Sequence, residues 1–239
     1  MEQKIFEISM HYHKGLRSIQ WGNMNKKIIF MTRKLYWETR ATEAEVEVFR
    51  CESLVAGGYG VWLNETVFHP KGGGQPSDIG WIGAAEIVAV EMNNDGIIHC
   101  ANCAVPLGNA IARVNVEIRQ LHSRLHSAGH VIGHVLESFG WQPFKAHHWP
   151  GEARVVFKPG SNAQEMDAQS IQRLCDQLIV RELPCKVSSG NHIREVGFGD
   201  LSPYRCGGTH VASSAELKEL HVQSAKMKKG QLIVCYDIL

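Results

Sequence analysis

The periodicity of the chain changes once, near Arg119, and that change limits the folds open to it. From Thr42 to about Val116 apolar residues come in short or alternating runs, EVEVFRC, YGVWLNETVF, GWIGAAEIVAVEM, GIIHC and AIARVNVEI, separated by clusters of Gly, Asn, Asp and Pro. Period-two runs mark strands and the clusters mark turns. No helical run long enough for a parallel crossover lies among them, so a small antiparallel β-barrel is expected. Beyond Arg119, Leu121, Leu125, Ala128, Ile132, Val135, Leu136 and Phe139 recur at helical spacing, and Gly140 is placed to end the run. That helix is read as opening a second domain. In it, strand-like ARVVF and CKVSS flank a second helix, Ala163 to Leu183, closed by Pro184, and LKELHVQSAKMKKGQLIVCYDI forms a final hairpin. The fold class expected is α+β.

Two domains also suit the length, since 239 residues can bury one large core or two modest ones. A net charge of +1 supplies no global basic field, so a nucleic-acid partner would have to be recognised by local chemistry. The first thirty residues lack the apolar core of a signal peptide, and no run approaches the roughly 18 apolar residues of a membrane span. A soluble, cytoplasmic protein is expected. Seven cysteines at irregular spacings fit reduced thiols, and the Cys100–Cys103 pair lacks the second close pair a zinc ribbon needs.

The first helix carries RLHSAGHVIGH, in which His126, His130 and His134 follow one another at four-residue intervals, with His122 one turn earlier. Residues four apart share a helix face, so any adjacent pair can present two imidazoles to one metal ion. Spacing alone does not choose among them. A metalloprotease HExxH is excluded because Ser127 stands where the glutamate belongs. About eighty residues on, SPYRCGGTHV sets Cys206 and His210 four apart, and Gly207 and Gly208 let the backbone turn so that both can face one ion. One cysteine with three histidines is a donor set that suits zinc.

HSAGH followed by CGGTH resembles the editing domain shared by alanyl- and threonyl-tRNA synthetases and by the free-standing alanyl-tRNA editing proteins called AlaX. Upstream, ETVFHPKGGGQPSDIG (residues 65–80) resembles the glycine-rich stretch of the alanyl branch. The likeness runs from about Met31 to Leu239 and implies the medium form of the family. That form has a β-barrel domain over 31–117 and an α/β-sandwich editing domain over 118–239, and residues 1–30, which precede the likeness, are read as an appended or misassigned N-terminal extension with no fixed fold.

By that resemblance one zinc per chain is held by His126, His130, Cys206 and His210, and His122 and His134 fall outside the set, His134 being the runner-up; because four firm ligands would close the site, His210 is expected to be the weaker one. Pro203, Tyr204 and Arg205 stand where relatives often carry another cysteine or a proline, a departure expected to leave the ligands untouched. Thr66, otherwise a strand threonine beside a glycine hairpin, aligns with the family's serine-recognising threonine. Gln75 is expected to face the site, and Thr66 and Gln75 are the candidate catalytic residues. His69, Gly73 and Gly74 complete the substrate-binding set, and Asp78 shares their turn. Lys145, His147 and His148 resemble a substrate-side hairpin or are solvated loop residues. Lys226, Lys228 and Lys229 read as a solvated basic turn.

The activity implied is hydrolysis, in trans, of the ester joining chiefly serine, and also glycine, to tRNA(Ala), which serves translation fidelity. Serine exceeds alanine by one hydroxyl, and an apolar pocket rejects such an isostere by only about a hundredfold. A second site that hydrogen-bonds the hydroxyl discriminates far better. The competing expectation is a non-catalytic, zinc-stabilised module that binds tRNA or a synthetase.

Overall fold

The computed structural model describes residues 31–190 and 193–239. The expectation for residues 1–30 lies outside them. A short strand β1 (Arg33–Lys34) and the single helical turn α1 (Leu35–Glu38) lead into β2 (Glu43–Ser53), where alternation turns Val46 and Val48 inward and Glu43, Glu45 and Glu47 to solvent. There follow β3 (Tyr59–Leu63), β4 (Glu65–Thr66), β5 (Gly80–Ile82), β6 (Ala85–Asn93), β7 (Gly96–Ala101) and β8 (Gly108–Val114). β1 pairs with β4 in parallel. The antiparallel order β2-β3-β7-β6-β5-β8 closes on itself into a ring of six strands. Val46, Val61, Leu63, Phe68, Ile82 and Ile87 fill one hydrophobic core with inward-facing side chains.

The change of period starts α2 (Val116–Glu137). Its first residue precedes Arg119 by three, because the Asn115 side chain caps it, Oδ1 accepting the Ile118 N–H at 3.1 Å. The helix stops short of Gly140, where φ is +82° and a Cβ would lie 2.6 Å from the Asn162 carbonyl oxygen. Next come β9 (Trp141–His147), β10 (Arg154–Pro159), α3 (Ala168–Ile179), β11 (Cys185–Gly190), β12 (Ile193–Phe198) and β13 (Tyr204–Arg205). A 3-10 turn (Ser214–Leu217) and the hairpin of β14 (Leu220–Lys228) and β15 (Gln231–Ile238) end the chain.

The second helix is shorter than its sequence suggests. Asp167 caps it, its carboxylate accepting the Ser170 N–H at 2.7 Å, so residues 163–167 stay outside. It ends at Ile179, and Glu182 at φ +51° turns the chain before Pro184 is reached. Helices α2 and α3 pack on a four-stranded sheet ordered β14-β15-β10-β9, and β11-β12-β13 form a separate sheet. Leu125, Ile132, Phe157, Ile171, Val234 and Tyr236 anchor this second core. Among the described residues strands predominate over helices, an α+β composition, and no helix is long and apolar enough to cross a membrane.

Candidate metal centre

One face of α2 carries Ser123, His126, Ser127, His130 and His134, as a 3.6-residue repeat requires. The two serines hold the CGGTH loop against that face. Ser123 Oγ shares a hydrogen with Thr209 Oγ1 at 2.7 Å, and Ser127 Oγ accepts the Val211 N–H at 3.2 Å. From the other side Arg194 on β12 donates to the carbonyls of Cys206 (2.8 Å) and Gly208 (3.0 Å), and the Trp37 indole donates to Gly207 O at 2.9 Å. Gly208 is a steric necessity, because a Cβ there would stand 2.1 Å from His126 Cε1 and 2.6 Å from Gln75 Oε1.

This scaffold brings the donor atoms of His126, His130, Cys206 and His210 within 4.8 Å of one another. Cys206 Sγ lies 3.2 Å from His126 Nε2 and 3.5 Å from His210 Nε2, and His210 Nε2 lies 3.3 Å from His130 Nε2. A tetrahedral zinc with Zn–N near 2.05 Å and Zn–S near 2.3 Å has N···N edges of about 3.3 Å and S···N edges of about 3.6 Å. These three edges lie close to those of such a tetrahedron. The donor set fits a zinc-sized ion.

The protonation states agree. Burial, reinforced by neighbouring histidines, holds His126 and His210 well below the ordinary imidazole value and His130 at about 3, so all three are neutral with lone pairs to give. Burial raises the Cys206 thiol, opposed by the Gly208 backbone and by Arg194. A bound cation would favour its thiolate. For His126 the tautomer is fixed: Nδ1–H donates to Gln75 Oε1 at 2.7 Å, leaving Nε2 free to ligate. Gln75 is itself locked, Oε1 accepting the Thr209 N–H at 3.0 Å and Nε2 donating to Thr209 Oγ1 at 2.8 Å.

Gln75 arrives from the glycine turn of the ring. Gly72 and Gln75 exchange backbone hydrogen bonds at 3.1 and 2.9 Å, and Gly73 and Gly74 take φ of +59° and +81°, the positive values a type I′ turn demands. Gly74 O accepts the His148 N–H at 2.8 Å, and a Cβ on Gly74 would meet Ala146 O at 2.5 Å, so the turn rides directly on the β9–β10 loop. Asp78 locks the turn's far end. Its carboxylate accepts the His69 N–H at 2.5 Å and pairs, fully buried, with Arg119 on α2, which also donates to Val67 O at 2.6 Å. Ring and helix are thus joined by a buried ion pair and by the Gln75–His126 bond.

The remaining residues singled out from sequence have other surroundings. Thr66 is fully buried. Its hydroxyl bonds His99 Nε2 at 2.8 Å and accepts the Phe68 N–H at 3.0 Å. His99 Nδ1–H donates to Val61 O at 3.0 Å, which makes the Thr66 hydroxyl the donor and leaves it one lone pair. His69 is buried edge-on against Tyr36. His122 and His134 lie outside the cluster. Tyr204 corrects one expectation, since its ring stacks on His134 at 4.5 Å and stands edge-on to His130 at 5.1 Å, its hydroxyl donating to Glu137 at 2.5 Å. The departure before Cys206 therefore does touch a candidate ligand. Lys145 and Lys226, Lys228 and Lys229 are exposed, and His147 stacks on Trp149. Cys100 and Cys103 join no ligand cluster among the described residues.

His148 is the residue whose role sequence reading missed. It is buried, stacks on His126 at 4.4 Å, and its Nδ1–H donates at 2.6 Å to the Tyr236 hydroxyl, which donates in turn to Leu125 O at 3.0 Å. The aromatic wall it forms explains Gly129, where a Cβ would come within 2.4 Å of its ring. Only its place in the AHHWP loop hinted at this.

No protein-family model matches the chain. It is similar to alanine–tRNA ligases of archaea: 29% identical to that of Methanococcus aeolicus over 66% of this chain and 20% of the ligase, 28% identical to that of Methanopyrus kandleri over 88% and 27%, and 25% identical to that of Nitrosopumilus maritimus over 93% and 28%. The chain spans about a fifth to a quarter of the length of these curated relatives, so the likeness covers most of this chain and a minor part of each ligase.

Proposed function

We propose that the chain is a zinc-dependent aminoacyl-tRNA deacylase of the alanyl-tRNA editing type, acting in trans on tRNA(Ala) mischarged chiefly with serine, and with glycine. The observation that carries the reading is the bond from Gln75 to His126, which ties the GGGQ turn to the HSAGH and CGGTH residues in one buried centre. The similarity to alanine–tRNA ligases over most of the chain supports alanine tRNA as the partner. In this reading the ring and the α2 unit are two domains meeting at the site.

Bound zinc would supply Lewis acidity toward the ester carbonyl or an anchor for the amino acid. The chain's own residues hold and exclude. Gln75 fixes His126, His148 and Tyr204 cover the ligand rings, and the CGGTH loop is braced on three sides. His130 and His210 both leave Nδ1 without a hydrogen-bond partner among the described residues, so neither is held as His126 is, and His210, on the loop, is the ligand proposed to yield a coordination position. No carboxylate belongs to the cluster, which favours positioning and electrostatics over side-chain proton transfer. Thr66 is the proposed serine contact, and with its proton committed to His99 it would accept the bond from the serine hydroxyl.

One feature favours a second reading. Four protein donors, the three histidines buried and Cys206 partly so, describe a closed, structural zinc site, which suits a non-catalytic binding module. Assaying purified protein on seryl-, glycyl- and alanyl-tRNA(Ala) separates the two. Release of serine and glycine with alanine spared is the expected result, and no release from any of them would favour the module.

A further inference from the structure

Beside the metal centre lies a cavity of about 1270 Å³ bounded by α1, the start of α2, β11–β12 and residues 209–216, with His210 among its lining residues. Its lining is lopsided in charge, six arginines and lysines against two glutamates, in a chain whose net charge is only +1. Three of the cations are neutralised: Arg33 by Glu38 and Glu65, Arg119 by Asp78, Arg124 by Glu219. Lys34, Arg40 and Arg194 have no carboxylate partner among the described residues. Arg194 is 8% exposed, its Nε is buried with no hydrogen-bond partner, and its NH1 grips the loop of Cys206. Buried donors of this kind are costly unless a ligand satisfies them.

Besides charge the cavity wall offers an aromatic face. Trp37 lines it, Lys34 Nζ sits 4.1 Å above the Trp37 ring, and the indole N–H is tied to the CGGTH loop. Unpaired cations interleaved with an aromatic ring are what binds a single-stranded nucleic acid, phosphates on the cations and a base on the ring. A small inorganic anion would leave most of so large a space empty.

We propose that this cleft binds the single-stranded 3′ end of an RNA, Lys34 and Arg40 holding phosphates and Arg194 marking where the strand turns toward His210. The proposal rests on the deacylase reading and adds to it the path of the RNA. Fluorescence anisotropy with 5′-labelled, deacylated tRNA(Ala), titrated against full-length protein over a salt series, tests it. The Lys34→Ala/Arg40→Ala protein should bind at least about tenfold more weakly. Its salt dependence should be shallower by about 1.4 log units per decade, since each single-strand phosphate contact contributes about 0.7. The Lys34→Arg/Arg40→Lys protein should recover the affinity. A tRNA trimmed of its single-stranded end should bind wild type and variant alike. Because Arg40 is exposed, Arg40→Glu alone gives a second, fold-preserving version of the loss.

Equal affinity and slope in the charge variants, or a variant effect that persists on trimmed tRNA, overturns the proposal. So does binding of poly-glutamate that depends on Lys34 and Arg40 while tRNA binding does not, which would assign the cleft to an acidic protein. Deacylated tRNA makes the measurement independent of hydrolysis. A protein that binds this way but releases no amino acid refutes the deacylase reading alone, and one that edits normally without the two cations refutes the cleft alone.

Discussion

The side-chain carbonyl of Gln75, on the glycine turn of the ring, accepts the Nδ1 proton of His126, on the helix, at 2.7 Å. Through that bond a turn fifty-one residues upstream sets which nitrogen of a candidate zinc ligand carries the lone pair. Partners of this kind ordinarily raise metal affinity ten- to a hundredfold. Gln75→Ala should therefore weaken zinc binding by about that factor, measured by competition with a chromophoric chelator, while Gln75→Glu, which keeps an acceptor, loses less. Unchanged affinity in Gln75→Ala would separate the turn from the metal centre.

Cys206 supplies the cluster's one sulfur. Cys206→Ala should purify without stoichiometric zinc, and the Cys100→Ser/Cys103→Ser protein should keep it. The reverse pattern by elemental analysis would move the metal to the ring.

Thr66 connects His99 Nε2 to the Phe68 amide inside the first core. Thr66→Val strands both groups, and each unsatisfied buried partner costs about 1–3 kcal/mol, so urea unfolding should show a loss of at least about 2 kcal/mol. Thr66→Ser keeps both bonds and should stay close to wild type. If Thr66 also accepts the serine hydroxyl, the ratio of seryl- to alanyl-tRNA hydrolysis falls in the valine protein, measured where it is still folded. A preserved ratio would move selectivity elsewhere.

His99 adds a pH dependence. Full burial lowers its imidazole from the ordinary 6.5 to about 4. As pH falls through 6.5 the unfolded chain takes up a proton that the folded chain refuses until about pH 4. The stabilisation is therefore complete above pH 6.5 and is lost between 6.5 and 4, amounting to at most about 3 kcal/mol. Unfolding free energies of His99→Gln should fall less steeply than wild type over that window. Parallel curves would mean that His99 is charged in the fold or carries no such linkage.

Local spacing was the legible part of this chain. Residues four apart on a helix share a face whatever surrounds them, so the spacing offers three histidine pairs on α2 and the pair of Cys206 with His210 across two glycines, while the choice of His126 and His130 comes from the family resemblance alone. The strand and helix halves were equally plain from the change of period. What stayed hidden depends on contacts between distant segments. His148 looked like a loop histidine because nothing local shows that β9 and β10 lay it on His126. Tyr204 looked harmless because its stacking on His134 requires β13 to lie across α2. The ends of α3 were misjudged for a local reason, since Asp167 is a stronger start signal than the apolar pattern before it.

The central claim is that this centre edits mischarged alanine tRNA. The most direct measurement is single-turnover release of amino acid from seryl-tRNA(Ala) and alanyl-tRNA(Ala) by the purified zinc-loaded protein, with Cys206→Ala as control. The account predicts rapid loss of serine, slow or no loss of alanine, and no activity in the control. Equal rates on both substrates, or serine release undiminished in a zinc-free Cys206→Ala protein, would contradict it.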